Sequence, residues 1–130
     1  MTQALVTSFV REGRRLVRVS GEVDVHTGPQ LRDHLLALVA GGEHDIVVDL
    51  SEVSFLDSSG LGVLVMVHKR VRMAGGALQL AGCQPEVVSI FRITALDRVI
   101  EMFPTVEDAL RDPIEDPAGV SVDTSVNDPA

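Results

Sequence analysis

The stretch Asp45-Ile46-Val47-Val48-Asp49-Leu50-Ser51, followed by Phe55-Leu56-Asp57-Ser58-Ser59-Gly60-Leu61-Gly62-Val63-Leu64-Val65-Met66-Val67, decides the fold class. Ile46-Val47-Val48 is a continuous β-branched run, which suits a central strand covered on both faces. A short connection through Phe55-Leu56 leads to a helix that begins near Ser58 and runs to about Ala74. The first half of that helix is apolar on nearly all sides. Its last turns carry Lys69, Arg70 and Arg72, favourable beside the negative end of the helix dipole, and Gly75-Gly76 ends it. Strand then helix is the repeating step of an α/β domain.

Working outward, residues 4–11 and 15–22 alternate as two strands joined by a turn at Glu12-Gly13-Arg14, an N-terminal β-hairpin. Thr27-Gly28-Pro29 reads as a helix start, with Thr27 as N-cap and Pro29 in the first turn. Leu31, Leu35, Leu36, Leu38 and Val39 form its apolar stripe, and Gly41-Gly42 stops it. Beyond the second helix come a short strand at Leu78–Ala81 and a helix opened by Gln84-Pro85-Glu86. A last strand near Val99–Phe103 and a small helix capped by Thr105 follow. The result is an α/β domain: a mixed sheet with an N-terminal hairpin and about four helices packed on it.

One domain accounts for residues 1–111. Residues 112–130 hold five acids and no Lys or Arg, with three prolines and no periodicity, and are read as an acidic, disordered tail. The chain of 130 residues carries a formal net charge of −8, of which only −3 falls on residues 1–111. That balance argues against nucleic acid as a direct partner. With 45% apolar and 3% aromatic residues, the core is built from Val, Leu, Ile and Ala. The single cysteine, Cys83, excludes an internal disulfide, fits a reducing compartment and follows an apolar run, so it reads as a small buried thiol. No apolar run approaches the roughly 18–20 residues of a membrane span, and no basic-then-apolar signal opens the chain. A cytoplasmic protein without membrane insertion is expected.

Catalytic signatures are missing. Ser58 is not in a nucleophile elbow, because Leu56 rather than glycine stands two positions before it. Gly60-Leu61-Gly62 lacks the third glycine of a dinucleotide fingerprint, and no Gly-Lys-Ser/Thr occurs. Both glycines read instead as permitting tight packing of the helix start on the strand. His26, His34, His44 and His68 match no close metal-ligand spacing. No enzyme, catalytic residue, cofactor or metal is expected. What remains is the helix start itself. Asp57 or Ser58 caps it, and two hydroxyls in succession exceed what one cap requires. A phosphate added there would bring nearly two charges to a helix N-terminus, where the dipole and free N–H groups tolerate an anion.

The segment from Ile46 to Ser51 and from Phe55 to Leu64 resembles the signature of bacterial anti-sigma-factor antagonists of the STAS-domain family. Gly21-Glu22-Val23-Asp24 is similar to that family's Gly-Glu-Leu/Ile-Asp after the second strand. Gly75-Gly76-Ala77-Leu78 and the Val88, Phe91, Ile93, Leu96 series resemble its later elements. The likeness covers residues 4–111 in order and spacing.

The resemblance implies partner switching. The unphosphorylated protein binds an anti-sigma factor that is also a serine kinase, and so releases a sigma factor for transcription. The kinase phosphorylates Ser58, the serine after the aspartate, which abolishes binding, and a serine phosphatase restores it. It further implies a partner-binding set of Asp24, Asp57, Ser58, Ser59 and Gly60, with Asp24 in the loop after the second strand facing the kinase. Two other readings stand beside it: a STAS subunit of a lipid or anion transport complex without phosphorylation, and an enzyme using Ser58 as nucleophile.

Overall fold

The computed structural model describes residues 5–112. The elements run β1 (Leu5–Arg11), β2 (Arg14–Val23), α1 (Gly28–Ala40), β3 (Asp45–Leu56), α2 (Ser58–Met73), β4 (Ala77–Ala81), α3 (Pro85–Ile93), β5 (Glu101–Phe103) and α4 (Val106–Arg111). A single 3-10 turn, Leu96–Arg98, links α3 to β5. The strands form one sheet in sequence order; β1 and β2 pair antiparallel as the hairpin, and every later neighbour pairs parallel. The mixed sheet, the hairpin and the four helices match the sequence expectation.

Side chains of a strand alternate between faces, and β3 shows the consequence. Ile46, Val48 and Leu50 enter the main core with Leu31 and Leu35 of α1, Leu64 and Val67 of α2, and Val87 and Phe91 of α3. Val47 points to the other face, where it joins Leu16 and Ala81 under Ala109 and Leu110 of α4. Three helices therefore cover one face and one short helix covers part of the other. The reading of Ile46-Val47-Val48 as doubly covered holds.

A buried polar clip fixes the second face. Arg14, 6% exposed, donates to Gln79 Oε1 at 2.8 Å, to the Ala109 carbonyl at 2.7 Å and to the Asp112 carbonyl. Gln79 in turn donates to Glu101 at 3.1 Å and to Asp112 Oδ2 at 3.3 Å. A buried guanidinium must have its donors satisfied, and here the last turn of α4 supplies the acceptors. The acidic tail lies outside the described residues from Pro113 onward.

Three local expectations need correction. Phe55-Leu56 is not a connection but the end of the third strand, which runs to Leu56 because β2 also runs on and pairs with it from Ser20↔Glu52 to Val23↔Leu56, past two register shifts. The last strand starts at Glu101 rather than Val99, since the backbone turns through Ala95 (φ 62°) and the 3-10 segment before Ile100 is buried. Thr27 does stand at the N-cap of α1, but its hydroxyl does not cap the helix. It donates to the Glu22 carbonyl at 2.7 Å and accepts from Asp24 N–H at 2.9 Å, tying the preceding loop.

Candidate functional site

Because β2 and β3 are parallel and end together at Val23↔Leu56, the loops leaving them stand side by side at one end of the sheet. Asp57 N–H donates to the Val23 carbonyl at 3.1 Å, which fastens the second loop to the first. The N-termini of α1 and α2 thus open onto one rim. Asp24, Asp57, Ser58, Ser59 and Gly60 are all brought to it.

Asp57 is the cap of α2. Its backbone is extended (φ −97°, ψ −172°), and its Oδ1 accepts from Ser59 N–H at 2.9 Å, Gly60 N–H at 3.2 Å and the Ser59 hydroxyl at 2.5 Å. The Ser59 hydroxyl, foremost, holds the Asp57 carboxyl below the usual carboxylate range; partial desolvation and the nearby Asp24 charge act against it. Asp24 does the same work in its own loop. Its Oδ1 accepts from Thr27 N–H at 3.0 Å and His26 N–H at 2.9 Å, and these bonds lower its pKa. Both acids are therefore ionised and committed to their own turns.

This settles how the hydroxyls divide. Ser59 is half-buried and spent on Asp57, whereas Ser58 is exposed and makes no side-chain hydrogen bond among the described residues. It also changes the electrostatics expected from sequence. The Ser59 and Gly60 N–H groups are taken by Asp57, and Leu61 N–H donates to the Asp57 carbonyl at 3.0 Å. Few donors are left to neutralise a new anion on Ser58, so such a charge would face outward, beside an ionised Asp57.

The two glycines divide as well. A Cβ on Gly60 would stand 2.6 Å from Leu56 Cδ1 and 2.8 Å from Val23 Cγ1, so α2 begins in direct contact with the strand ends. A Cβ on Gly62 would meet nothing within 4 Å. The close-packing expectation holds for Gly60 and fails for Gly62, which lies on the exposed side of the helix.

That exposed side carries a feature that sequence reading missed. Starting at Ser58, a groove of about 890 Å³ follows α2 past Leu61, Val65 and Met66 to Met73, with Leu96 as its far wall and Lys69 and Arg70 at its end. The sequence shows this helix start as apolar on nearly all sides without showing a groove. The excess of apolar residues over one buried stripe was the available signal, since a helix on a sheet needs only one such face.

Elsewhere, Cys83 is half-buried rather than fully buried as expected, and what burial it has pushes its pKa up to about 11. No group of three or more His, Cys, Asp or Glu among the described residues could hold a metal ion. No helix among them is long and apolar enough to cross a membrane.

A family model described as the STAS domain matches residues 8–109. The chain belongs to the STAS-domain family. This STAS domain is 38% identical over 86 residues to the anti-sigma-B factor antagonist of Bacillus subtilis, a match that covers 66% of this chain and 78% of that protein. Among solved structures it is similar to an anti-sigma factor antagonist from Mycobacterium paratuberculosis (TM-score 0.74, 29% identity, 84% of this chain and 95% of that one). It is also similar to the antagonist SpoIIAA in its unphosphorylated form (TM-score 0.69, 26% identity, 82% and 93%). These relatives are named for antagonism of a protein, a binding role rather than a catalysed reaction.

Proposed function

We propose that this STAS domain is an anti-sigma-factor antagonist that works by partner switching through Ser58. In its unmodified state the rim formed by Asp24, Asp57, Ser58, Ser59 and Gly60, with the adjoining side of α2, docks an anti-sigma factor and releases the sigma factor it holds. The anti-sigma factor is also a serine kinase, transfers phosphate to Ser58 and thereby loses its hold. A serine phosphatase restores the binding form, all in the cytoplasm.

One observation carries this reading. Ser58 is the exposed, uncommitted hydroxyl at the rim, while Asp57 and Ser59 are spent on each other. The names of the curated relatives support the antagonist role. The mechanism follows from charge. A phosphoserine carries about −1.5 to −2 at neutral pH, here beside an ionised Asp57 whose own cap has taken the nearest donors. Covering that cluster with a partner means desolvating charges that have no counter-charge. A cost of a few kcal/mol suffices, since each 1.4 kcal/mol changes affinity about tenfold.

Pull-down from native cytoplasm with wild type, Ser58→Ala and Ser58→Asp, followed by titration calorimetry with the captured partner, tests the proposal. Ser58→Ala should bind irrespective of ATP, and Ser58→Asp should bind at least tenfold more weakly. Equal binding by Ser58→Asp and wild type would end the switch reading. A Ser58 left unmodified by partner and ATP, on mass spectrometry, would point instead to docking on a transport complex.

A further inference from the structure

The N-terminal hairpin leaves one long sheet edge open. β1 stands at the end of the strand order, and no described strand pairs with its outer side. Edges are ordinarily guarded by shortness, by Lys or Pro, or by a bulge, because unpaired N–H and C=O groups template pairing with another chain. The opposite edge follows that rule: β5 has three residues, and Pro104 comes directly after it. β1 does not. It runs seven residues without Pro, Lys, Asp or Glu, and its register with β2 is unbroken from Leu5↔Ser20 to Arg11↔Arg14. Its one charge, Arg11, is already paired with Glu107 at 3.5 Å. Leu5 is 63% exposed, Val10 62% and Phe9 37%.

The turn fixes which backbone groups face outward. Glu12 (φ 52°) and Gly13 (φ 79°) are both left-handed in a two-residue turn, so Arg11 and Arg14 form a hydrogen-bonded pair. Such pairs alternate along an antiparallel ladder. Phe9, Thr7 and Leu5 therefore bond inward to β2, while Val6, Ser8 and Val10 point their N–H and C=O groups away from the sheet. Side chains alternate in step. Val6 packs on the main core, and Phe9 stands opposite Leu16 on the α4 side, where Arg18 lies over its ring.

A second copy related by a twofold axis perpendicular to the sheet satisfies both patterns at once. Such an axis keeps each helix layer on its own side, so opposed residues must share a face. Centred on Ser8, it pairs the whole strand: Ser8 with the other Ser8, Val6 with Val10, Thr7 with Phe9 and Leu5 with Arg11. The outward groups of Val6, Ser8 and Val10 then meet as hydrogen-bonded pairs, each exchanging both bonds. Val6 and Val10 join across one face, Thr7 and Phe9 across the other, and no like charges are opposed. We propose that β1 pairs antiparallel with β1 of a second copy in this register, joining two five-stranded sheets into one continuous sheet. The contact is a strip about 23 Å long, so the dimer lies at the small, reversible end of specific interfaces. The Ser58 rim stands at the end of the sheet where β1 begins, and the twofold reverses strand direction, so the dimer carries one open rim at each end. That consequence rests on the partner-docking reading, but the pairing itself does not.

The pairing is tested on the full chain without a partner. Sedimentation equilibrium between about 10 μM and 1 mM should show the mass rising from 13.9 kDa toward twice that value. Ser8→Pro removes an outward N–H and no bond to β2, a substitution that edge strands accept, and should stay monomeric with its urea midpoint little changed. Ser8→Cys should cross-link copies on mild oxidation, since the opposed Cα atoms lie about 5.5 Å apart. Val10→Cys should not, because its own counterpart stands roughly 13 Å further along the strand; Cys83 is common to both chains. A single mass at every concentration overturns the proposal. So does a Ser8→Pro chain that dimerises like wild type, or a Val10→Cys chain that cross-links as fast as Ser8→Cys. Should Ser8→Pro fail to fold, amide exchange on wild type decides. The Val6, Ser8 and Val10 amides should gain protection as concentration rises. Full protection on dilution would mean that the chain covers its own edge, and no protection at any concentration that the edge stays open; either refutes the pairing. None of these readouts depends on whether Ser58 is a switch.

Discussion

Gly60→Ala and Gly62→Ala, two positions apart on one helix, should move stability in opposite directions. At Gly60 the new methyl would lie 2.6 Å from Leu56 Cδ1 and 2.8 Å from Val23 Cγ1, against a normal contact of about 3.5–4.0 Å. Leu56 has a terminal methyl that can rotate, but it is 1% exposed and packed within the main core. Val23 is fully buried, and as a β-branched strand residue it has one strongly preferred rotamer. Relief must come from moving the start of α2 away from the sheet. Overpacking of this kind costs about 1–3 kcal/mol, while alanine returns about 0.8–1 kcal/mol of helix propensity. The net expectation is a loss centred near about 1 kcal/mol and reaching about 2. At Gly62 the methyl enters open space, so only the propensity gain of up to about 1 kcal/mol remains. Urea unfolding of the three proteins, with equal slopes, gives the difference directly as a change of midpoint. If Gly60→Ala matches wild type, or if Gly62→Ala falls with it, the close-contact argument is wrong.

Other predictions follow from the same geometry. Ser59→Ala removes the bond that does most to lower the Asp57 pKa, so the Asp57 carboxyl should titrate at higher pH, as read by carbonyl-carbon NMR. A carboxylate whose folded pKa is depressed stabilises above the unfolded value of about 4 and loses that contribution as pH falls through the folded pKa. The stability gap between wild type and Ser59→Ala should therefore be full near neutrality and close in acid. Asp57→Ala deletes the cap itself and should cost about 1 kcal/mol in thermal or chemical unfolding. Cys83 should be sluggish toward alkylation: with a pKa of about 11, its thiolate fraction at pH 8 is about a hundredfold below that of a thiol of pKa near 9. Rapid labelling of the native protein would show the site to be open. Arg14→Met leaves the Gln79 oxygen and the Ala109 carbonyl without their donor, and should cost about 2–3 kcal/mol by urea unfolding.

The fold was legible wherever period and punctuation agreed. Ile46-Val47-Val48, the Gly41-Gly42 and Gly75-Gly76 stops, Pro29 and Pro85 at helix starts, and Thr105, whose hydroxyl accepts from Asp108 N–H at 3.0 Å, all stand where the residues place them. What could not be read was cooperative. The extension of β3 through Ser51–Phe55 depends on β2 being there to pair with it, and polar residues at Ser51, Glu52 and Ser54 give no local sign of that. The Thr27 hydroxyl had two chemically equal uses, and only the position of the Glu22 carbonyl decides between them. At the rim, sequence narrowed the candidates to Asp57, Ser58 and Ser59, yet the pairing of Ser59 with Asp57 is a matter of side-chain rotamer. The groove was hidden because apolar residues on α2 serve two surfaces, one dry and one open.

The clip at Arg14 has a consequence for how the molecule opens. It joins residues as far as 98 positions apart, and it is the main polar tie between the sheet and a helix of only six residues. The apolar patch beneath that helix is small, formed by Leu16, Val47, Ala81, Ala109 and Leu110, whereas α1, α2 and α3 share one large core. Closing so long a loop for so little buried area is worthwhile only after the sheet exists. The last helix is thus the final piece to assemble and the first to leave. Amides of α4 should exchange with solvent water long before those of β3, through an opening that leaves the three-helix face intact.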